Sequence, residues 1–406
     1  MVRGKCPPVA RHNALPTRTL LITLLAPLLI FADAAIAQEK ADEDLKASEE
    51  QRTNDYAAQL EDYLAKWLVD DYPARADKAW NRNYSSIEAF LASVEPNRRR
   101  WRNVVKPPEL SKTGDLQRHP HPASAERNGE WLTLPLGGLT AEGLLAIPKS
   151  ATSEKPVPLV IAQHGIGSSP ERTFGVLDEG EHYHRYAEAL LDAGFAVLAP
   201  MNLRSVDRRN RIERLCRLAD TSLPGIEFTR MQRLLDEVLA DPKIDGERVG
   251  MWGVSLGGTA TMFWMPLEPR IKAGVVAAWF NHRRNKMVIP DPRYSCFLET
   301  KEDHAFFDGW LTEFTDSDVV SLICPRPLLI QTGKLDRIAH WPQVVEEFEE
   351  SRAHYEKLGI AERIEMDLHE GGHEPRVQTG LAFLTRWLID EAAGATSQSD
   401  NKSSGK

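Results

Sequence analysis

The sequence predicts an α/β fold: a mostly parallel central sheet flanked by helices on both faces. Two observations predict the class, and a third says what it is for. Short apolar runs recur from about residue 130 onward, as in "VPLVIAQHG" and "PLLIQTG". Helical spacing lies between such runs, clearest in Met231, Leu234, Leu235, Val238 and Leu239. Strands that are apolar almost throughout need cover on both faces, and helix-length connections permit parallel pairing. Third, Ser255, Asp336 and His373 each fall just beyond the end of one of these runs. Ligands bind at that edge of a parallel sheet, outside the carboxyl ends of its strands.

At the N-terminus, Arg3, Lys5, Arg11 and Arg18 precede the apolar run Leu20 to Phe31, and Ala35-Ile36-Ala37 offers a small-x-small cleavage site before Gln38. That is the pattern of a signal peptide over residues 1–37. The run is short for a bilayer span and contains Pro27. The expectation is therefore a secreted or periplasmic protein, free of the membrane after cleavage, with an uncleaved anchor as the alternative. Residues 38–55 are polar and read as a loose leader. Leu60, Tyr63, Leu64, Trp67 and Leu68 form one apolar helix face, which must pack on something. Ser85-Ser86-Ile87-Glu88 is a capping box, with Ile87, Phe90, Leu91 and Val94 on the face behind it; Pro96 is expected to stop that helix. Together these make a helical extension over residues 38–125.

The main domain is expected over residues 126–392. "EWLTLPL" and "EGLLAIP" read as two strands joined by a turn at Gly137-Gly138, and "VPLVIAQHG" as a buried third. "HRYAEALLDAGFAVLAP" is a helix, a Gly194 cap and a strand. A further helix and strand run through "RMQRLLDEVLADPKIDGERVGMWG". "IKAGVVAAWF", "PLLIQTG" and "RIEMDLHE" complete the set. Residues 281–320 break the rhythm and read as a cap-like insertion over the sheet's carboxyl edge. Residues 393–406 read as a disordered tail.

Composition narrows the partners. With 42% hydrophobic and 27% charged residues, the chain is an ordinary globular protein. Its formal charge is −9; removing residues 1–37 takes away four positive charges and one negative, leaving −12. An acidic surface argues against nucleic acid and anionic membranes as partners. "RRRWR" (98–102) is the exception, read as a solvated face or an internal ion-pair cluster. Cys216, Cys296 and Cys324 remain after cleavage. One bridge is possible, with Cys216–Cys296 preferred, and Cys324 reads as core. The spacings fit no zinc site. Oligomeric state is not legible.

The constellation is Ser255, Asp336 and His373, in that chain order. A serine hydroxyl is a weak nucleophile until a base takes its proton, and histidine suits that role near neutral pH. An acid behind the histidine fixes its tautomer. Gly253, Gly257 and Gly258 surround Ser255 and permit a tight strand-to-helix turn. That turn would aim the Leu256 amide at an oxyanion, with the Ile166 amide as the second donor. Asp316 and Asp318 are alternatives to Asp336. His369 reads as a strand residue and His164 as a structural partner of the Ile166 loop. His182, Tyr183 and His184 read as a solvated helix start. Trp279, Phe280, Phe306, Phe307 and Trp310 line a cleft or form core beneath the insertion.

These residues carry a resemblance to the α/β-hydrolase superfamily: Gly253-Val254-Ser255-Leu256-Gly257 as G-x-S-x-G, and His164-Gly165-Ile166-Gly167 as the oxyanion loop. Within it, "ADPKIDGERVGMWGVSLGG" and "EPRIKAGVVAAWF" resemble the dienelactone-hydrolase-like and acetyl-xylan-esterase-like branch, over roughly residues 130–390. Dienelactone hydrolases proper carry cysteine where this chain has Ser255, which favours ester hydrolysis here. Many relatives follow the acid with a small turn ending in proline, whereas Asp336 runs into "RIAHW". The resemblance implies a serine carboxylic-ester hydrolase that needs no cofactor or metal, acting on a small-molecule or carbohydrate ester. A prolyl-oligopeptidase-like peptidase and a non-catalytic binding protein are the rival readings.

Overall fold

The computed structural model describes residues 22–121, 129–177 and 182–391, with the backbone alone for 22–33. The chain divides into two units between Leu64 and Ala65. The first is one helix, α1 (Ile22–Ala65). Residues 38–55 are part of it and are not a loose leader. Their polarity hides a run of good helix formers, Ala, Glu, Lys, Gln and Leu. Pairs one turn apart add support: Gln38 donates to Asp42 at 2.9 Å and Gln51 to Asp55 at 2.7 Å. The apolar stripe was expected to pack, but Leu60, Tyr63 and Leu64 are exposed. Trp67 and Leu68 are half-buried, in a wide π-type turn over Lys66–Asp70, and the first buried side chain is Tyr72. Of the predicted signal segment, residues 1–21 lie outside the described residues, as does the whole of the expected tail, 393–406. No described helix is long and apolar enough to cross a membrane.

The second unit begins with α2 (Tyr72–Ala79) and α3 (Ile87–Val105). Ser86 caps α3, its hydroxyl accepting from the Ala89 amide at 3.1 Å. Pro96 does not stop α3, which runs another nine residues. A proline inside a helix costs roughly 3 kcal/mol. Burial of the last two turns outweighs that cost: Trp101 is fully buried, edge-on to Phe263 at 4.8 Å, and its Nε1–H donates to the Phe263 carbonyl at 3.1 Å. The basic run is an internal ion-pair cluster. Arg100 grips the Glu313 carboxylate at 2.5 and 2.9 Å, and Arg98 pairs with Glu95 and donates to the Leu322 carbonyl.

Nine strands make one sheet: β1 (Gln117–Pro120), β2 (Gly129–Pro135), β3 (Thr140–Ala146), β4 (Val157–Gln163), β5 (Ala196–Pro200), β6 (Ile244–Val254), β7 (Ile271–Ala277), β8 (Leu328–Gly333) and β9 (Ile364–His369). Their order is β1-β2-β3-β5-β4-β6-β7-β8-β9, antiparallel from β1 to β5 and parallel from β5 to β9. Eight of these were expected from sequence; β1 was not, because "QRHP" is exposed and carries no apolar run. The sheet therefore starts at Gln117, before the residue-126 boundary.

Helices fill the connections. α4 (Pro170–Thr173) and α5 (Tyr186–Asp192) follow β4. α6 (Val206–Leu218) and α7 (Leu223–Val238) follow β5. α8 (Leu256–Trp264) follows β6. α9 (Arg283–Val288) and α10 (Asp316–Ile323) follow β7. α11 (Trp341–Lys357) follows β8, and α12 (Val377–Thr385) follows β9. Alternate residues of β4 and β6 enter two separate cores. Leu159, Ile161, Val249 and Met251 pack with α3, α7, α8, α10 and α11. Val160, Ala162, Trp252 and Val254 pack with α5 and α12. Both faces are dry, so both parities must be apolar. Cys216, Cys296 and Cys324 are all free, and Cys216 and Cys296 are not bridged. Each thiol is packed away separately, and burial pushes Cys216 up to about 11.

Candidate active site

Ser255 stands between β6 and α8. Its backbone, at φ 58° and ψ −118°, lies where a non-glycine residue is strained. The turn closes only around glycines. A Cβ on Gly253 would fall 1.8 Å from the Gly257 carbonyl oxygen, and one on Gly257 would fall 2.1 Å from that of Gln163. The Ser255 amide is anchored to the Ala277 carbonyl at 2.9 Å. Leu256 is the first residue of α8, so its N–H has no acceptor within the helix.

His373 lies in the loop after β9, and Asp336 in the turn after β8. The structure brings them together: His373 Nδ1–H donates to Asp336 Oδ2 at 2.8 Å. Asp336 Oδ1 accepts from the Ile338 amide at 2.9 Å, and the carboxylate is almost wholly buried. The two loops are also tied by backbone, Leu335 N–H to the Gly371 carbonyl at 3.0 Å. Asp316 and Asp318 do not reach His373. Asp316 is clamped by Arg283 at 2.9 and 2.8 Å, and Asp318 holds Tyr72, Arg82 and Thr315.

Ile166 sits in the loop after β4. That loop is held by the Gly167 amide on the Arg204 carbonyl (2.8 Å) and by the Gly165 amide on the Tyr183 hydroxyl (2.9 Å). His164 is structural: Nδ1–H donates to the Gly165 carbonyl at 2.8 Å, and Nε2 accepts from the Asn202 amide at 3.1 Å. Complete burial holds its ring neutral by lowering its pKa. His369 is likewise enclosed at the end of β9, its Nδ1 accepting from the Gly371 amide at 3.1 Å.

One cavity of about 510 Å³ gathers Ser255, Leu256, Ile166, Asp336 and His373. The insertion forms much of its wall. The aromatic residues divide: Trp279, Phe280 and Phe307 line it, while Phe306 and Trp310 pack in the core behind. Phe297, Lys286, Glu302 and His304 line it too and were not singled out from sequence. They lie on single helical turns and the loops between them, too short to show a period in sequence. Burial pushes Lys286 down to about 8 and His304 to about 3, and raises Glu302. Tyr183 also departs from the sequence reading. It is buried at the cavity wall, while His184 is held by Glu374 at 2.7 Å.

A strained serine at a strand–helix turn, with a histidine–carboxylate pair from the next strand ends of a parallel sheet, defines an α/β-hydrolase. A model of the Abhydrolase family matches residues 116–366, and the chain belongs to that family. YtaP of Bacillus subtilis (strain 168), provisionally named a hydrolase, is 26% identical over 254 residues, 59% of this chain and 82% of its own. Among solved structures, a Solibacter usitatus glucuronoyl esterase superposes with a TM-score of 0.57 at 15% identity, covering 74% of this chain and 94% of its own. A Bacteroides fragilis NCTC 9343 protein provisionally described as an acetyl xylan esterase gives 0.55 at 18%, covering 73% and 81%. At these identities the likeness is one of fold.

Proposed function

We propose that the protein is an exported serine carboxylic-ester hydrolase acting on carbohydrate esters. The observation that carries the chemistry is the 2.8 Å His373–Asp336 bond in the same cavity as Ser255. Ser255 Oγ attacks the ester carbonyl while His373 Nε2 takes its proton. Asp336 holds the imidazole in the tautomer with Nδ1–H and stabilises the imidazolium. The Leu256 and Ile166 amides receive the oxyanion. His373 returns the proton to the leaving alcohol, giving an acyl-serine. Water, deprotonated by His373, then releases the acid and regenerates Ser255. No step needs a metal or a cofactor.

Export rests on the charge, apolar run and cleavage pattern of residues 1–37. The carbohydrate reading rests on the names of the structural neighbours and on the aromatic wall of Trp279, Phe297 and Phe307, which suits the apolar face of a sugar ring. The test is hydrolysis of p-nitrophenyl acetate, acetylated xylan and a glucuronic acid methyl ester, beside Ser255→Ala. Turnover of the small ester and of one carbohydrate ester by wild type alone is the expected result. Cleavage of the small ester only would remove the carbohydrate class. Equal activity in the variant would remove the mechanism.

A further inference from the structure

We propose that Lys286 is a positioning residue for the acid–base pair: from the insertion it holds the turn that presents Asp336 to His373. This role rests on those proposed for Asp336 and His373 themselves.

Lys286 lies on α9 and is only 5% exposed. Its Nζ donates to the Ser295 carbonyl, the Ser295 hydroxyl at 2.8 Å and the Ile338 carbonyl. An ammonium has three protons, and all three are used. Ile338 is held at its other backbone end as well, where its N–H donates to Asp336 Oδ1 at 2.9 Å. Asp336 Oδ2 then accepts from His373 Nδ1 at 2.8 Å. The order is ammonium, Ile338 backbone, carboxylate, imidazole. Backbone bonds tie the start of the turn to the His373 loop, but Leu335 and Ile338 on either side of Asp336 are exposed and add little packing. Lys286 supplies a further hold from a different segment, fixing the insertion and the acid turn in one arrangement.

The charge matters as well as the bonds. The groups facing the amine are Arg283 on its own helix, Cys296 and Glu302 from the insertion, and Asp336 from the turn, with the Phe297 ring centroid 5.1 Å away. Burial, reinforced by Arg283, brings the amine down to about 8. Below that pH the cation is present and serves all three acceptors. Above it the neutral amine keeps two N–H donors for the two carbonyls and accepts the Ser295 hydroxyl proton on its lone pair, so the bonds lose their charge assistance and Asp336 loses a neighbouring positive charge. The hold on Asp336 should weaken as pH rises through about 8.

The experiment is kcat and KM for p-nitrophenyl acetate from pH 6 to 9.5 in wild type, Lys286→Met and Lys286→Arg, beside Ser255→Ala and Asp336→Asn. Wild-type kcat should fall near pH 8 to a plateau about tenfold lower, the scale of loss from a slightly misplaced catalytic group. Lys286→Met should sit on that lower plateau throughout, with no step near pH 8 and KM nearly unchanged. Lys286→Arg should restore part of kcat at pH 7 and also lack the step. The low-field proton resonance of His373 Nδ1–H should weaken in Lys286→Met. A Lys286→Met profile identical to wild type would overturn the inference. Should Lys286→Met fail to fold, Lys286→Arg decides, and a kcat equal to wild type at pH 7 together with an unchanged pH profile overturns it. Full activity in Ser255→Ala or Asp336→Asn would instead sink the underlying mechanism. Their inactivity beside an unaffected Lys286→Met would sink only the role of Lys286.

Discussion

Ser255 carries a backbone conformation that costs of order 1–3 kcal/mol, and the surrounding turn is built to enforce it. Glycine adopts such angles freely. Ser255→Gly should therefore abolish ester hydrolysis yet raise the melting temperature, by relief on the order of 1 kcal/mol; a lower melting temperature would show the turn to be unstrained. Asp336→Asn leaves the shape of the site but lets His373 present the wrong tautomer. Its kcat should fall by about three to four orders of magnitude with KM little changed, measured on p-nitrophenyl acetate. At this scale much of the site was legible. G-x-S-x-G, the glycine-bounded Ile166 loop and the two residues after strand ends are local patterns, set by what a tight turn allows. Lys286 was not legible. A lysine in an aperiodic insertion looks like solvated surface, and only the fold buries it against Ser295 and Ile338.

Among elements, α3 is the most instructive. Local rules end it at Pro96, and the structure continues it to Val105 because Trp101, Val104 and Val105 reach the main core. Trp101→Ala should cost about 3–5 kcal/mol in a urea unfolding measurement, since it empties a fully buried indole site. Pro96 is exposed, so Pro96→Ala should restore a helical hydrogen bond and stabilise by about 1–3 kcal/mol. Opposite signs from two residues five apart would show that packing extends this helix against its local preference. α1 makes the converse point, for there local propensity forms a helix that tertiary burial does little to support.

In the molecule as a whole, buried charge ties the two ends of the insertion together and holds them to α11. Arg283, wholly buried, grips Asp316 and lies 4.2 Å from the Trp279 ring at the cavity wall. Glu347 on α11 accepts from the Ser317 amide at 2.7 Å beneath them. Burial and then the Asp316 charge push Glu347 up to about 8. Unfolded, it titrates near the ordinary glutamate value, roughly 4.3. Between those values the folded protein holds the proton and the unfolded chain does not, so stability contributed here falls as pH rises through that window. Glu347→Gln should flatten the fall and raise the melting temperature at pH 8 relative to wild type. Parallel pH dependences in the two proteins would contradict this.

The sequence by itself determined the sheet's class, eight of its strands, the serine turn and His373 as the candidate base, and it left the acid open among three aspartates. Those depend on short-range patterning: continuous apolar runs where both faces are dry, and glycines where a turn admits no side chain. Only the tertiary structure decided that α3 passes its proline, that Asp336 and not Asp316 or Asp318 meets His373, and that Lys286 and Glu302 face the cavity. These outcomes turn on which distant surfaces come together. Burial of a few large side chains and pairing of enclosed charges outweigh local preferences there, and neither is written in any one stretch of the chain.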